Sequence, residues 1–91
     1  MNRNTYQITE DILDTVLLSG HTGVKPTLLL RQSNLSYNRF NGFISKLTQS
    51  NLINEIVVKN KKTYIITERG RLYLDEYKKF NNIAESFGLE L

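Results

Sequence analysis

Apolar side chains recur at helical spacing through the first half of this chain. The first run predicts a helix within residues 5–19, with one apolar face formed by Ile8, Ile12, Leu13, Val16 and Leu17. Pro26 suits the first position of a second helix, which reaches about residue 33, because proline has no amide hydrogen to leave unpaired there. A third helix follows Ser36, whose hydroxyl can cap it. Its apolar positions fall at i, i+3, i+4 and i+7: Phe40, Phe43, Ile44 and Leu47.

The pattern changes after residue 51, where β-branched and aromatic residues form two runs on either side of Lys59-Asn60-Lys61-Lys62. Such runs around a polar turn predict a β-hairpin with a basic tip. Thr67 can cap a last helix that carries Glu68 in its first turn and reaches about residue 86. This order predicts an α+β, mainly α, fold: a winged helix-turn-helix of three helices and a hairpin wing, with an extended C-terminal helix. We assign residues 1–67 to the winged domain and residues 68–91 to a dimerisation helix continuous with it.

Length and composition exclude several classes of protein. A chain of 91 residues forms one small domain, and its longest apolar runs are far shorter than the roughly 20 residues that cross a bilayer. The absence of cysteine excludes disulfides and thiolate zinc sites. His21 is the only histidine, and no phosphate-binding glycine loop or nucleophile motif occurs. We therefore expect a cytoplasmic, non-enzymatic protein without a membrane segment, metal, cofactor or catalytic residue.

The charge is distributed unevenly along the chain. The net charge is only +3, but residues 15–67 contain seven basic residues against a single acid, Glu55. A local excess of lysine and arginine is typical of a surface that meets a polyanion. A solvated basic surface without a partner is the alternative.

The third helix has a polar side with chemistry suited to DNA. If the apolar stripe faces the core, the opposite side and its flanks carry Asn38, Arg39, Asn41, Gly42, Ser45, Lys46 and Gln49. Amide side chains can contact adenine edges, and Arg and Lys can reach guanine or phosphate, so we expect contact with a groove rather than an inert solvated face. Glycine inside a helix costs about 1 kcal/mol relative to alanine, so Gly42 indicates a place of close approach to DNA.

Neighbouring elements supply candidate contacts to the DNA backbone. Lys59, Lys61 and Lys62 at the hairpin tip suit phosphates without reading sequence, although charge that only keeps the turn soluble is the alternative. The remaining candidate DNA-binding residues belong to the second helix and the start of the third: Thr27, Arg31, Ser36 and Tyr37.

The last helix carries a stripe of aromatic residues. Tyr73, Tyr77, Phe80, Ala84 and Phe87 are four, three, four and three residues apart, which is the spacing of a coiled-coil seam, and Leu74 and Ile83 widen it. We expect a dimer interface, because an unpartnered aromatic stripe would leave an apolar patch in water. A monomer that packs this stripe on its own domain is the alternative.

A further set of positions is informative when taken together: Asn34-Leu35-Ser36-Tyr37, Phe40, Phe43-Ile44, Leu47, Leu52-Ile53, Tyr64, Thr67, Gly70 and Lys79-Phe80-Asn81. With these positions the chain resembles, over about residues 8–83, the small archaeal winged-helix DNA-binding proteins, which dimerise through a C-terminal coiled coil. The resemblance implies a transcriptional regulator rather than an enzyme. It also implies a recognition helix over residues 36–49 and a wing over residues 54–67.

The sequence therefore predicts a homodimer that binds double-stranded DNA as a transcriptional regulator or chromatin-associated protein. The third helix would enter the major groove, and the lysine-rich wing would contact the backbone. The alternative is a winged-helix module that binds another protein through the aromatic last helix.

Overall fold

The computed structural model describes residues 3–89, and its elements follow the predicted order. The helices are α1 (Thr5–Leu18), α2 (Pro26–Ser33), α3 (Tyr37–Gln49) and α4 (Glu68–Ser86), and the strands are β1 (Ile53–Val58) and β2 (Lys61–Ile66). A short 3₁₀ turn, Gly20–Thr22, separates α1 from α2. The predicted mainly helical α+β fold with a hairpin wing is confirmed. The first two residues of the range 1–67 and the last two of the range 68–91 lie outside the described residues.

Side chains next to the helices set where three of them begin. The Asn4 side chain accepts a hydrogen bond from the Gln7 amide at 2.8 Å, and the Gln7 side chain accepts one from the Asn4 amide at 3.0 Å. The Ser36 hydroxyl accepts from the Arg39 amide at 3.3 Å, and the Thr67 hydroxyl accepts from the Gly70 amide at 2.9 Å. These bonds satisfy amides that the first turn of a helix leaves without an intrahelical partner.

One apolar core joins all four helices to the hairpin. The helix residues most deeply involved are Ile8, Ile12, Leu13, Val16, Leu29, Phe40, Ile44, Leu47 and Leu74. Leu52, Ile53 and Tyr64 bring the base of the hairpin into the same core. The predicted stripes of α1 and α3 therefore face inward, while Leu17 and Phe43 at their edges are only partly buried. This packing fixes which side of α3 is turned outward.

The hairpin is a two-residue turn between antiparallel strands. Lys59 and Asn60 both have positive φ, 52° and 64°, as tight hairpin turns require. The strand register runs from the pair Ile53 and Ile66 to the pair Val58 and Lys61. Val24 exchanges two backbone hydrogen bonds with Tyr64, each 2.9 Å long. This bridge ties the segment before α2 to the wing.

Helix α4 packs on α1 and then projects from the domain, which is 49 Å long but only 27 and 20 Å across. Lys78 Nζ bonds Glu10 at 3.0 Å and Asp14 at 3.2 Å on α1. The helix ends where Gly88 adopts a positive φ of 73°. There the Leu89 amide donates to the Ala84 carbonyl at 2.7 Å, and the Gly88 amide donates to the Glu85 carbonyl at 2.9 Å, which is a Schellman ending.

Candidate nucleic-acid interface

The outward side of α3 presents the polar residues singled out from the sequence. Phe40, Ile44 and Leu47 are buried on the opposite side. The exposed residues are Asn38, Arg39, Asn41, Gly42, Ser45, Lys46 and Gln49. This side offers three amides, one hydroxyl and two cations, and none of its residues is an acid.

Gly42 forms a notch in this surface. A Cβ atom added at Gly42 would meet no other atom within 4 Å, so packing inside the protein does not require glycine there. The notch opens into a shallow depression lined by Thr5, Arg39, Phe43 and Lys46. The missing side chain therefore exposes helix backbone between two cations.

The candidate residues at the edges of this surface differ in their exposure and in their hydrogen bonds within the protein. Thr27 and Arg31 are exposed on α2. The Ser36 hydroxyl caps α3 through the Arg39 amide, so it already holds one hydrogen bond within the protein. Tyr37, in the first turn of α3, is 67% exposed.

The three wing lysines are all exposed, but one of them is paired. Lys62 Nζ lies 2.7 Å from Glu55 Oε1. The hydrogen bond to Glu55 and its negative charge raise the pKa of Lys62. Sequence analysis missed this pair, although a two-residue turn at Lys59 and Asn60 would have placed Glu55 and Lys62 on one face of the hairpin.

Ion pairs are rarer in the basic segment than in the rest of the chain, where only Arg69 and Arg71 have no carboxylate partner within the described residues. Of the seven cations in residues 15–67, Lys62 alone has a carboxylate partner within the described residues. Elsewhere, Arg3 pairs with Asp11 at 2.7 Å, Lys78 with Glu10 and Asp14, and Lys79 with Asp75 at 3.2 Å. The unpaired cations on α2, α3, the wing and the segment before α2 are Lys25, Arg31, Arg39, Lys46, Lys59 and Lys61. Positive charge on these elements is therefore largely uncompensated.

The predicted dimer residues fall into two groups. The Tyr77 ring stacks on Tyr6 of α1 at 6.3 Å and on Tyr73 at 6.4 Å between ring centres. Burial raises the pKa of both Tyr73 and Tyr77, and Ala84 is buried as well. Phe80 and Phe87, by contrast, are 56% and 76% exposed. The domain itself thus covers part of the stripe and leaves the rest open.

The exposed part of the stripe extends beyond the predicted residues. Leu72, Ile83 and Leu89 are also exposed, and Leu72 and Ile83 lie on the same side of α4 as Phe80 and Phe87. Sequence spacing alone could not separate the two groups, because nothing in the pattern of α1 indicates that Tyr6 covers Tyr77.

The described residues contain neither a metal-binding cluster nor a membrane-spanning helix. Within residues 3–89, His, Asp and Glu side chains form no group of three that could hold a metal ion. None of the helices described there is long and apolar enough to cross a membrane.

Several solved structures share this fold. Sso10a-2, described as a DNA-binding protein from Sulfolobus solfataricus, has a TM-score of 0.75 and 23% identity, over 93% of this chain and 85% of that one. AF1382 from Archaeoglobus fulgidus has a TM-score of 0.70 and 18% identity, over 90% and 91%. SPO1453 from Silicibacter pomeroyi DSS-3, described as a MarR family transcriptional regulator, has a TM-score of 0.66 and 13% identity, over 87% and 56%. At these identities the likeness concerns the fold.

No curated protein matches the chain. A family model described as winged helix-turn-helix matches residues 2–85, which is nearly the whole sequence. Together with the archaeal structures above, this match confirms the resemblance found in the sequence. The chain therefore belongs to the winged helix-turn-helix family.

Proposed function

We propose that this protein binds double-stranded DNA, with α3 in the major groove and the wing on the backbone, and that it acts by binding rather than by catalysis. The observation that carries the proposal is the segregation of charge. Among the cations of α2, α3 and the wing, Lys62 alone has a carboxylate partner within residues 3–89. Outside residues 15–67, three of the five cations, Arg3, Lys78 and Lys79, are paired with acids. Lysine and arginine kept free of internal partners can release counterions from DNA, which is the main source of sequence-independent affinity.

The outward side of α3 supplies the groups for reading bases. Asn38 and Asn41 can pair with adenine edges, and Ser45 can donate or accept a hydrogen bond. The Gly42 notch lies between Arg39 and Lys46, so the helix backbone can approach the duplex while the two cations reach guanine or phosphate on either side. Thr27, Arg31, Ser36 and Tyr37 would then contact the backbone beside the groove.

A role in transcription or chromatin is consistent with the proteins that share this fold. One of them is described as a DNA-binding protein and another as a transcriptional regulator. We assign this chain to the same broad role, as a regulator or a chromatin-associated protein.

We further propose that two copies associate through the exposed stripe of α4, formed by Phe80, Ile83 and Phe87 with Leu72 and Leu89 beside it. These side chains are 56–76% exposed, and a second copy can bury them by packing the same stripe against its own. Tyr73, Tyr77 and Ala84, which are already covered within the chain, would border the contact. A symmetric pair would present two copies of α3 and read two half-sites.

The salt dependence of binding tests the DNA proposal. A dimer that neutralises about six to eight phosphates should bind a random-sequence duplex with a log-log salt slope of about −5 to −7. Lys46→Gln should make the slope shallower by about 0.9 for each bound chain, because it removes one phosphate contact. Lys79→Gln removes the same charge from an exposed helix position outside the proposed surface, so it should leave the slope unchanged. Equal slopes for the two variants would contradict the placement of α3.

The alternative is a module that binds another protein through the same aromatic stripe, and the exposure of Phe80 and Phe87 favours it as the second candidate. Under this alternative the basic segment would be incidental. Charge reversal at Lys61 and Lys62 separates the two: it should weaken DNA binding strongly under the first proposal and have no consequence for function under the second.

A further inference from the structure

Glu55 is the only acid between positions 15 and 67, and it lies on β1 of the wing. It is opposite Tyr64 in the hairpin, so it shares a strand face with the buried residues Ile53 and Tyr64. Lys62 is diagonal to it on the same face, with its Nζ 2.7 Å from Glu55 Oε1. The pair therefore lies on the face of the hairpin that reaches the core at Ile53 and Tyr64.

The other two wing lysines have different surroundings. Lys61 is opposite Val58 and points to the other face of the hairpin, and Lys59 lies in the turn. Neither has a carboxylate partner within the described residues. The wing therefore offers two free ammonium groups and one ion pair that is neutral as a whole.

From this arrangement we propose that Glu55 withholds Lys62 from the DNA backbone and so limits the sequence-independent affinity of the protein. The inference rests on the proposed DNA binding. Lys62 can contact a phosphate only if its ion pair with Glu55 breaks. The Glu55 carboxylate also repels any phosphate that comes close to the pair. Because counterion release follows the number of phosphates neutralised, the wing contributes two contacts rather than three.

The test is anisotropy titration of a fluorescent 24-base-pair duplex of random sequence over a series of salt concentrations. Glu55→Gln should bind about fivefold more tightly near 0.1 M salt, with a slope steeper by about 0.9 for each bound chain, because Lys62 is released to a phosphate. Glu55→Gln combined with Lys62→Gln should return to the wild-type slope, because the released lysine is then missing.

Three single variants complete the comparison. Asp75→Asn removes a carboxylate from another exposed acid–lysine pair, Asp75 with Lys79 on α4, and changes the net charge equally. It should leave the slope unchanged, which excludes a general charge effect. Lys61→Gln should lose about 0.9 of slope for each bound chain, whereas Lys62→Gln should lose clearly less, because Lys62 is already paired with Glu55.

The outcomes distinguish this inference from the proposal on which it rests. If the wild-type protein shows no salt-dependent binding to the duplex, DNA binding itself is overturned. If the wild type binds but Glu55→Gln keeps its slope, or Lys62→Gln loses as much as Lys61→Gln, then the role of Glu55 is overturned while DNA binding stands.

Discussion

Two glycines inside helices have opposite surroundings. A Cβ atom at Gly42 on α3 would lie in open space, whereas a Cβ atom at Gly70 on α4 would lie 2.1 Å from the Leu52 carbonyl oxygen and 2.9 Å from an Ile66 side-chain carbon. Glycine is a poorer helix former than alanine at both sites. Close packing within the protein therefore explains the glycine at position 70. No contact within the protein explains the glycine at position 42.

Gly42→Ala should raise the free energy of unfolding by about 0.8–1 kcal/mol, because alanine is the better helix former and its methyl group meets no neighbour. If the notch admits the duplex, the same variant should bind DNA more weakly. Urea unfolding and duplex titration measure the two effects. Asn82→Ala, on an exposed part of α4, should leave DNA binding unchanged. Undiminished affinity of Gly42→Ala would show that the notch is not a contact point.

Gly70→Ala should have the opposite effect on stability. The added methyl group meets backbone rather than a flexible side chain, so α4 must shift away from Leu52 and weaken its cap at Thr67. We expect a loss of about 2 kcal/mol or more, which corresponds to a fall of roughly 10 °C in Tm for a domain of this size. Thermal unfolding followed by circular dichroism measures it, and a Tm equal to that of the wild type would be incompatible with the close packing.

Residue-level features were predictable where they depend on local sequence. Caps at Ser36 and Thr67 and the exposure of Asn38 and Lys46 follow from neighbours along the chain. The pairing of Glu55 with Lys62 depends on the hairpin register, and the need for glycine at position 70 depends on how α4 lies on Leu52. The register follows once the turn is placed at Lys59 and Asn60, whereas the packing at Gly70 required the fold.

At the scale of elements, ionisable groups connect helices and strands to one another. The sequence predicted the order of these elements but not the contacts between them. Lys78 of α4 bridges Glu10 and Asp14 of α1. Burial alone would lower the pKa of Lys78, but hydrogen bonds to these two carboxylates outweigh it, so that its pKa is raised above 10.5. Burial, followed by the charge of Glu55, raises the pKa of Tyr64 above 10.0.

These shifts predict loss of stability in alkali. Both groups hold their proton more tightly in the folded state, so their contribution is fully present below the unfolded pKa and is lost as the pH rises through the folded value. Tm should thus be insensitive to these groups between pH 7 and 9 and should fall above about pH 10. Tyr64→Phe should reduce the fall, and Tyr37→Phe, at an exposed tyrosine, should not. Identical alkaline curves for the two variants would contradict a role for Tyr64.

At the scale of the whole molecule, the end of α4 projects from the domain with apolar side chains in water. Two copies of a 91-residue chain can remove these side chains from solvent without any further partner. The same association would join two copies of the proposed DNA-binding surface and raise affinity, because the second half-site is then bound from the same molecule.

The dimer is tested by replacing Phe80 and Ile83 with serine. We expect light scattering to give the mass of two chains for the wild type and of one chain for Phe80→Ser with Ile83→Ser. The monomeric variant should bind the duplex with about half the wild-type salt slope, because half as many phosphates are neutralised. Leu18→Ser, which alters an apolar side chain that is 87% exposed at the end of α1, should remain dimeric. A wild type with the mass of one chain would contradict the proposal.

The sequence by itself determined the order and type of the elements, the inward stripes of α1 and α3, and the basic character of residues 15–67. These properties follow from periodicity, capping residues and local composition, which act over a few neighbouring positions. Only the tertiary structure decided that Tyr6 covers Tyr77, that Val24 joins the wing and that Gly70 packs on Leu52. Each of these contacts joins residues distant in sequence, so it depends on how the elements pack rather than on any local pattern. The pair of Glu55 and Lys62 lies within one hairpin and depends on the position of its turn.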